Sequence, residues 1–174
     1  LSQVNLEQIK KLLKEFISQH HESIEIILLG GIALHYYGMK NRSTMDVDAE
    51  VKGDVQALIE FFKDKRIPAD IGEDVSRWSL ISMPLGYRER ALEFYRDSLL
   101  VIKVLHPLDF VIAKLRRFTE EDIEDALFVV KKYGILPDEI EQAKLQVLKQ
   151  SPKDSLLFIF DKNTRFFIQK IQKI

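Results

Sequence analysis

Residues 4–19, VNLEQIKKLLKEFISQ, place apolar side chains at Leu6, Ile9, Leu12, Leu13 and Phe16. That spacing predicts an amphipathic helix. The next segment, IEIILL at 24–29, is a short continuous apolar run stopped by Gly30-Gly31. A run of that length and β-branched content predicts a buried strand. A short helix over 32–37 follows, with Gly38 placed to end it. Residues 46–51, DVDAEV, alternate: Val47, Ala49 and Val51 fall on one face, Asp46, Asp48 and Glu50 on the other. Gly53-Asp54 opens an amphipathic helix, VQALIEFFKDK, and Pro68 follows its end.

Residues 78–83 (WSLISM) and 98–105 (SLLVIKVL) read as two further strands, separated by a polar stretch that starts basic. His106-Pro107 begins a helix with proline at its favoured first position. Its apolar stripe is Leu108, Val111, Ile112 and Leu115. Thr119 caps the next helix, with Asp122 three residues on in capping-box position. Ile123, Ala126, Leu127 and Val130 form its core face and Gly134 ends it. Beyond Pro137 the segments DEIEQAKLQVLKQ, SPKDSLLFIF and TRFFIQKIQKI are helical in pattern. The sum is an α/β (α+β) fold: a small mixed β-sheet with flanking helices and a helical C-terminal part. The expected division is residues 1–134 for the α/β core with its N-terminal helix, and 135–174 for a helical extension packed on it.

Composition narrows the classes. The chain has 174 residues, 46% hydrophobic, enough for one compact core. A formal net charge of −1 argues against a protein that coats nucleic acid, though not against a local basic patch. There are no cysteines, so disulfides and thiolate zinc sites are excluded, in keeping with a reducing cytoplasmic setting. The four histidines, His20, His21, His35 and His106, show no metal-ligand spacing. No apolar run is long enough for a membrane-spanning helix, and none reads as a signal peptide.

The chemistry concentrates between residues 30 and 48. Asp46 and Asp48 project from one face of a strand, roughly 6–7 Å apart along the chain. Two carboxylates that close repel each other unless a cation lies between them, and Mg²⁺ takes oxygen ligands. A strand ending in Gly-Gly before a short helix presents bare N–H groups to which a phosphate can come close. Arg42, Ser43 and Thr44 add a guanidinium and two hydroxyls just ahead of the carboxylate strand. Each part alone has a plainer reading, a tight turn or a solvated strand face. Their conjunction describes a metal-bridged triphosphate site of the kind phosphoryl transfer uses.

The pair GG followed by RSTMDVDAEV resembles the nucleotidyltransferase superfamily that shares the DNA polymerase β catalytic fold. It is similar in particular to the minimal members found as toxin nucleotidyltransferases of abortive-infection systems. The downstream block HPLDFVIAKLRRFTEEDIEDALFVV fits the same likeness, which covers residues 24–133. The resemblance implies transfer of a nucleoside monophosphate from an NTP to a hydroxyl acceptor, with Mg²⁺ or Mn²⁺. Asp46 and Asp48 would bind the metal ions and Gly30 and Gly31 the phosphates. Arg42 and Thr44 would be phosphate neighbours, and Lys114 would reach the triphosphate, with Asp122 and Asp125 orienting it or a substrate. Those last three read equally as a salt-bridge set on two packed helices. Arg88 and Arg90, beside Tyr87, form the best local basic-aromatic cluster for an RNA acceptor, and a solvated turn is the alternative. The acceptor is open between RNA, a protein side chain and a small molecule.

One part of the family pattern is missing from the place it should occupy. Active members carry a third carboxylate on a neighbouring strand, and SLISMP has none. Glu50, Glu73, Asp74 and Glu93 are the available substitutes, none well placed. The competing reading is therefore a catalytically inactive nucleotide-binding or partner-binding module, such as one half of a toxin–antitoxin pair.

Overall fold

The computed structural model describes residues 3–174. The chain divides into two compact units. The first runs up to Val75 and adds Arg90–Leu105; the second takes Ser76–Glu89 and His106–Ile174. The later segment of the second unit begins just ahead of the helix that starts at Pro107.

The first unit holds a five-stranded mixed sheet in the order β3-β2-β1-β5-β4. Its strands are β1 (Ile24–Leu28), β2 (Val47–Lys52), β3 (Ala69–Gly72), β4 (Leu92–Arg96) and β5 (Leu100–Val104). β1 pairs antiparallel with β2 and parallel with β5, β2 pairs parallel with β3, and β4 and β5 form a hairpin. The central strands are the most apolar, as strands flanked on both edges should be. Ile26, Leu28, Val47, Ala49, Leu100, Ile102 and Val104 are fully buried.

Three helices of this unit pack against the sheet: α1 (Leu6–His20), α2 (Gly30–Tyr36) and α3 (Val55–Asp64). α1 starts on a capping box between Asn5 and Gln8 and buries Ile9, Leu13 and Phe16. Phe16 meets Phe61 of α3 edge to face, ring centroids 5.4 Å apart. Asp54 caps α3 by accepting from Ala57 N–H. In the β4–β5 turn, the N–H groups of Leu99 and Leu100 and the Tyr95 hydroxyl all donate to Asp97. Those bonds, the Leu99 one foremost, hold its carboxyl below the usual range.

Two expected elements moved. Residues 78–83 form no strand: a single 3-10 turn over Val75–Trp78 leads into irregular chain, and Trp78 is 42% exposed. The sheet takes β3 from residues 69–72 instead. β4 arises in the stretch read as polar, because an edge strand needs little apolar surface.

The second unit is helical: α4 (Tyr87–Arg90, whose last residue counts with the first unit), α5 (Pro107–Arg117), α6 (Glu120–Tyr133), α7 (Pro137–Gln150) and α8 (Ser155–Gln172). The last two apolar segments of the chain join into the single helix α8. α5 packs on α6 and on the α7–α8 hairpin, around Phe110, Ile112, Leu115, Ile140, Val147, Phe160 and Phe167. Among the described residues no helix is long and apolar enough to cross a membrane.

Candidate functional site

In the first unit, Leu29 N–H donates to Asp48 O at 2.9 Å, so strand pairing continues to the threshold of α2. Gly30 then takes φ +57°, a left-handed conformation that glycine adopts without strain. A Cβ at Gly30 would lie 2.0 Å from Asp48 Oδ2. The first residue of α2 therefore rests directly against the Asp48 carboxylate, and any side chain would occupy that space. At Gly31 a Cβ would lie 2.9 Å from Thr44 Oγ1. The two glycines are thus pressed against two residues that the sequence reading had placed in the same site.

Thr44 is buried and its hydroxyl reaches Asp46 Oδ1 at 3.1 Å and Asp46 O at 3.3 Å. Val4 N–H donates to Thr44 O at 3.0 Å. Upstream, His35 Nε2 lies 2.6 Å from Arg42 O, and Arg42 N–H donates to Met39 O at 3.1 Å. His35 thereby anchors the loop that carries Arg42 and Thr44. One local cluster holds Gly30, Gly31, Thr44, Asp46 and Asp48.

The register of β2 and β3 adds a residue that the sequence reading passed over. Asp70 is the direct partner of Asp48 in a parallel pairing, as Ile71 is of Ala49. Partners across a ladder share a face of the sheet. Ala49 and Ile71 are buried together on the opposite face, while Asp48 is half-buried and Asp46 and Asp70 are exposed. Of the substitutes named from sequence, Glu50 is buried and accepts from Val75 N–H at 2.8 Å, and Glu93 pairs with Arg96 at 2.8 Å. The signal for Asp70 was a carboxylate within an Ala-Asp-Ile-Gly run just after Pro68, too short to show a period.

Among the described residues, no three or more His, Cys, Asp and Glu side chains gather closely enough to hold a metal ion unaided. The donor set nonetheless suits Mg²⁺ or Mn²⁺. The ligand atoms on offer are carboxylate oxygens, and Mg²⁺ typically takes only one or two carboxylates and completes its shell with water and substrate phosphate. The bare Gly30 Cα beside Asp48 leaves such a shell room.

The second unit shows a different treatment of charge. Lys114 Nζ on α5 lies 3.1 Å from Asp122 Oδ1 and 2.8 Å from Asp125 Oδ2 on α6. Arg117 bonds both oxygens of Asp122, each at 2.7 Å. Asp122 also closes the capping box with Thr119. All three of Lys114, Asp122 and Asp125 are buried. Burial alone would raise the Asp122 carboxyl, but Arg117, Thr119 and Lys114 together hold it far below the usual range. The geometry is that of the salt-bridge reading. It rotates α6 relative to expectation, so that Asp122, Asp125 and Val129 are buried while Ile123 and Leu127 are only half-buried. Similarly, burial would lower Lys144, but ion pairs to Asp161 at 2.8 Å and Glu141 at 2.7 Å raise it.

Arg88 and Arg90 lie on the single turn α4 and are exposed; the Arg88 guanidinium sits 4.8 Å from the centroid of the buried Tyr87 ring. Burial pushes the Arg116 guanidinium down to about 10, against a partial offset from Tyr87.

Residues 4–165 match a family model described as nucleotidyltransferase of unknown function (DUF6036). The chain belongs to this family. No curated protein matches it. Among solved structures it is similar to an antigenic nucleotidyltransferase-like protein from Paracoccidioides brasiliensis, at 14% identity and a TM-score of 0.48, covering 94% of this chain and 95% of that one. The family model spans nearly the whole length of the chain.

Proposed function

We propose that this member of the family transfers a nucleoside monophosphate from an NTP to a hydroxyl acceptor at the Gly30–Asp48 cluster, dependent on Mg²⁺ or Mn²⁺. The observation that carries the reading is the contact of Gly30 with the Asp48 carboxylate, with Asp70 on the adjacent strand. In this reading Asp46 and Asp48 hold the metal. Gly30 and Gly31 let the phosphates come up to the backbone where side chains would block them. Thr44 positions Asp46 through its hydrogen bond, and Arg42 supplies positive charge from a loop fixed by His35. When bound, the metal would neutralise triphosphate charge and align it with the acceptor. The acceptor oxygen bonds to the α-phosphorus as the α–β bridging bond breaks and pyrophosphate leaves. The hydroxyl proton passes to Asp70. Lys114, Asp122 and Asp125 stay outside this scheme as a buried structural set.

Asp70 favours the turnover reading over the non-catalytic alternative, as a carboxylate on the strand paired with that of Asp48. The likeness to abortive-infection toxins extends the proposal to an RNA or protein acceptor and an antitoxin partner. The test is pyrophosphate release from each NTP with Mg²⁺ and with Mn²⁺, in the presence of total RNA. Asp48→Asn should abolish release, and Asp70→Asn should lower it sharply while leaving NTP binding intact. Release that persists in Asp48→Asn would refute the assignment.

A further inference from the structure

Helix α8 is anchored by one side only. Phe160, Thr164 and Phe167 are buried, and the helix packs on α7 and α5 within the second unit. The opposite side stays in solvent although it is rich in large apolar groups: Phe158 is 73% exposed, Phe166 55% and Ile159 49%. Ile159 and Phe166 stand seven residues apart, two turns along the same side of the helix. Phe166 also meets Phe118, the C-cap of α5, edge to face with ring centroids 6.2 Å apart, so the apolar surface runs beyond α8 itself. Single exposed apolar side chains are ordinary, whereas a contiguous group of them marks an interaction surface.

The charge on this side has one sign. From Ser155 to Ile174 the chain carries Lys162, Arg165, Lys170 and Lys173, all exposed, against the single acid Asp161. Asp161 is engaged by Lys144 and Arg165, each at 2.8 Å, which leaves the face to the three lysines. Phe158, Lys162, Phe166 and Lys170 follow at four-residue intervals and so form one row with a step of roughly 6 Å. We propose that this row docks an amphipathic helix of another protein, one whose contacting row alternates carboxylates with aliphatic side chains. A helix has the same step, so its carboxylates fall on the lysines while its aliphatic groups fall on the phenylalanines. Opposite charge then sets the register. Other occupants match the row less well. A two-fold contact with a second copy brings lysine against lysine. A helix lying on a membrane sorts cations and apolar groups onto opposite faces, whereas here they alternate within one row. A nucleic acid would stack on the rings but finds no ring face at Ile159. The surface belongs to the second unit alone and does not depend on the transfer reaction at Gly30–Asp48.

The experiment is fluorescence anisotropy of labelled synthetic helical peptides titrated with the full chain. One peptide alternates Glu and Leu at four-residue steps; the other carries Lys in place of Glu. The acidic peptide should bind saturably, more weakly as salt rises, and the basic peptide should not bind. Phe158→Ala and Lys162→Glu should each weaken binding about tenfold or more. Both side chains lie in solvent, so the thermal midpoint should stay where it is. Lys63→Glu, an exposed change on α3, should alter nothing. No saturable binding, equal binding of the basic peptide, or affinities unchanged in both face variants would overturn the proposal. A different occupant would overturn it too: dimerisation of the chain, sedimentation with phosphatidylserine-containing vesicles, or binding of single-stranded RNA, in each case abolished by the same two variants. No readout uses metal or NTP, so failure here leaves the pyrophosphate result standing, and the reverse also holds.

Discussion

Two acidic groups in this chain are handled in opposite ways. On α6, Asp122 and Asp125 are buried and are met by Lys114 and Arg117 at 2.7–3.1 Å. Asp48 of β2 and Asp70 of β3 are partners on one sheet face and Asp46 lies just before β2, all at exposed or half-buried positions beside a glycine whose missing side chain keeps the space open. Carboxylates sealed with cations hold helices together; carboxylates bordered by bare backbone leave room for a ligand. The family pattern names residues in both groups, and only geometry separates their roles.

The contrast can be broken by mutation. The largest stability effect should come from Lys114→Met, which removes the ammonium that bridges the buried carboxylates of Asp122 and Asp125. A loss of about 3–5 kcal/mol is expected in urea unfolding. A loss under about 1 kcal/mol would show that the cluster is solvated after all. On the strand side, Asp46→Asn should cut metal-dependent pyrophosphate release by about 10²–10³-fold, with the thermal midpoint unchanged or raised by relief of carboxylate repulsion. A fall in stability together with activity would assign Asp46 to the same class as Asp122.

Gly30→Ala tests the space between the two groups of atoms. Its Cβ would meet Asp48 Oδ2 and require a left-handed residue, at a cost of about 1–2 kcal/mol. Nucleotide binding should fall with it, whereas Gly134→Ala, which meets nothing within 4 Å at the same sign of φ, should cost stability only. The smallest effect is in the acid limb. The folded-state carboxyl of Asp122 is depressed, so its contribution is present above the unfolded value near 3.9 and is lost as pH falls below about 4. Asp122→Asn should flatten the stability–pH slope in that window by up to about 1.4 kcal/mol per pH unit, read by urea unfolding at successive pH values. An unchanged slope would mean that Asp122 is not held low.

Much of this was legible in the chain. Periodicity placed α1, α3, α5, α6 and α7 and the strands β2 and β5, and a short continuous apolar run placed β1. β3 and β4 were not legible. The first has four residues and the second is an edge strand with only partial burial, so neither has a long enough apolar pattern to read. The false strand at 78–83 shows the converse: Ile81 and Met83 are buried, but by irregular chain in the helical unit. An apolar alternation reports burial and not the hydrogen bonding that defines a strand.

Residue types and spacing by themselves singled out Gly30, Gly31, Asp46 and Asp48 as one candidate segment, since a strand fixes the side of successive residues and glycine marks close approach. Tertiary structure alone decided that Asp70 stands beside Asp48 and that Lys114 is spent on two carboxylates. The physical reason is range. Local periodicity encodes which face of an element is buried, whereas register between strands and pairing between helices are set by contacts among residues far apart in the chain.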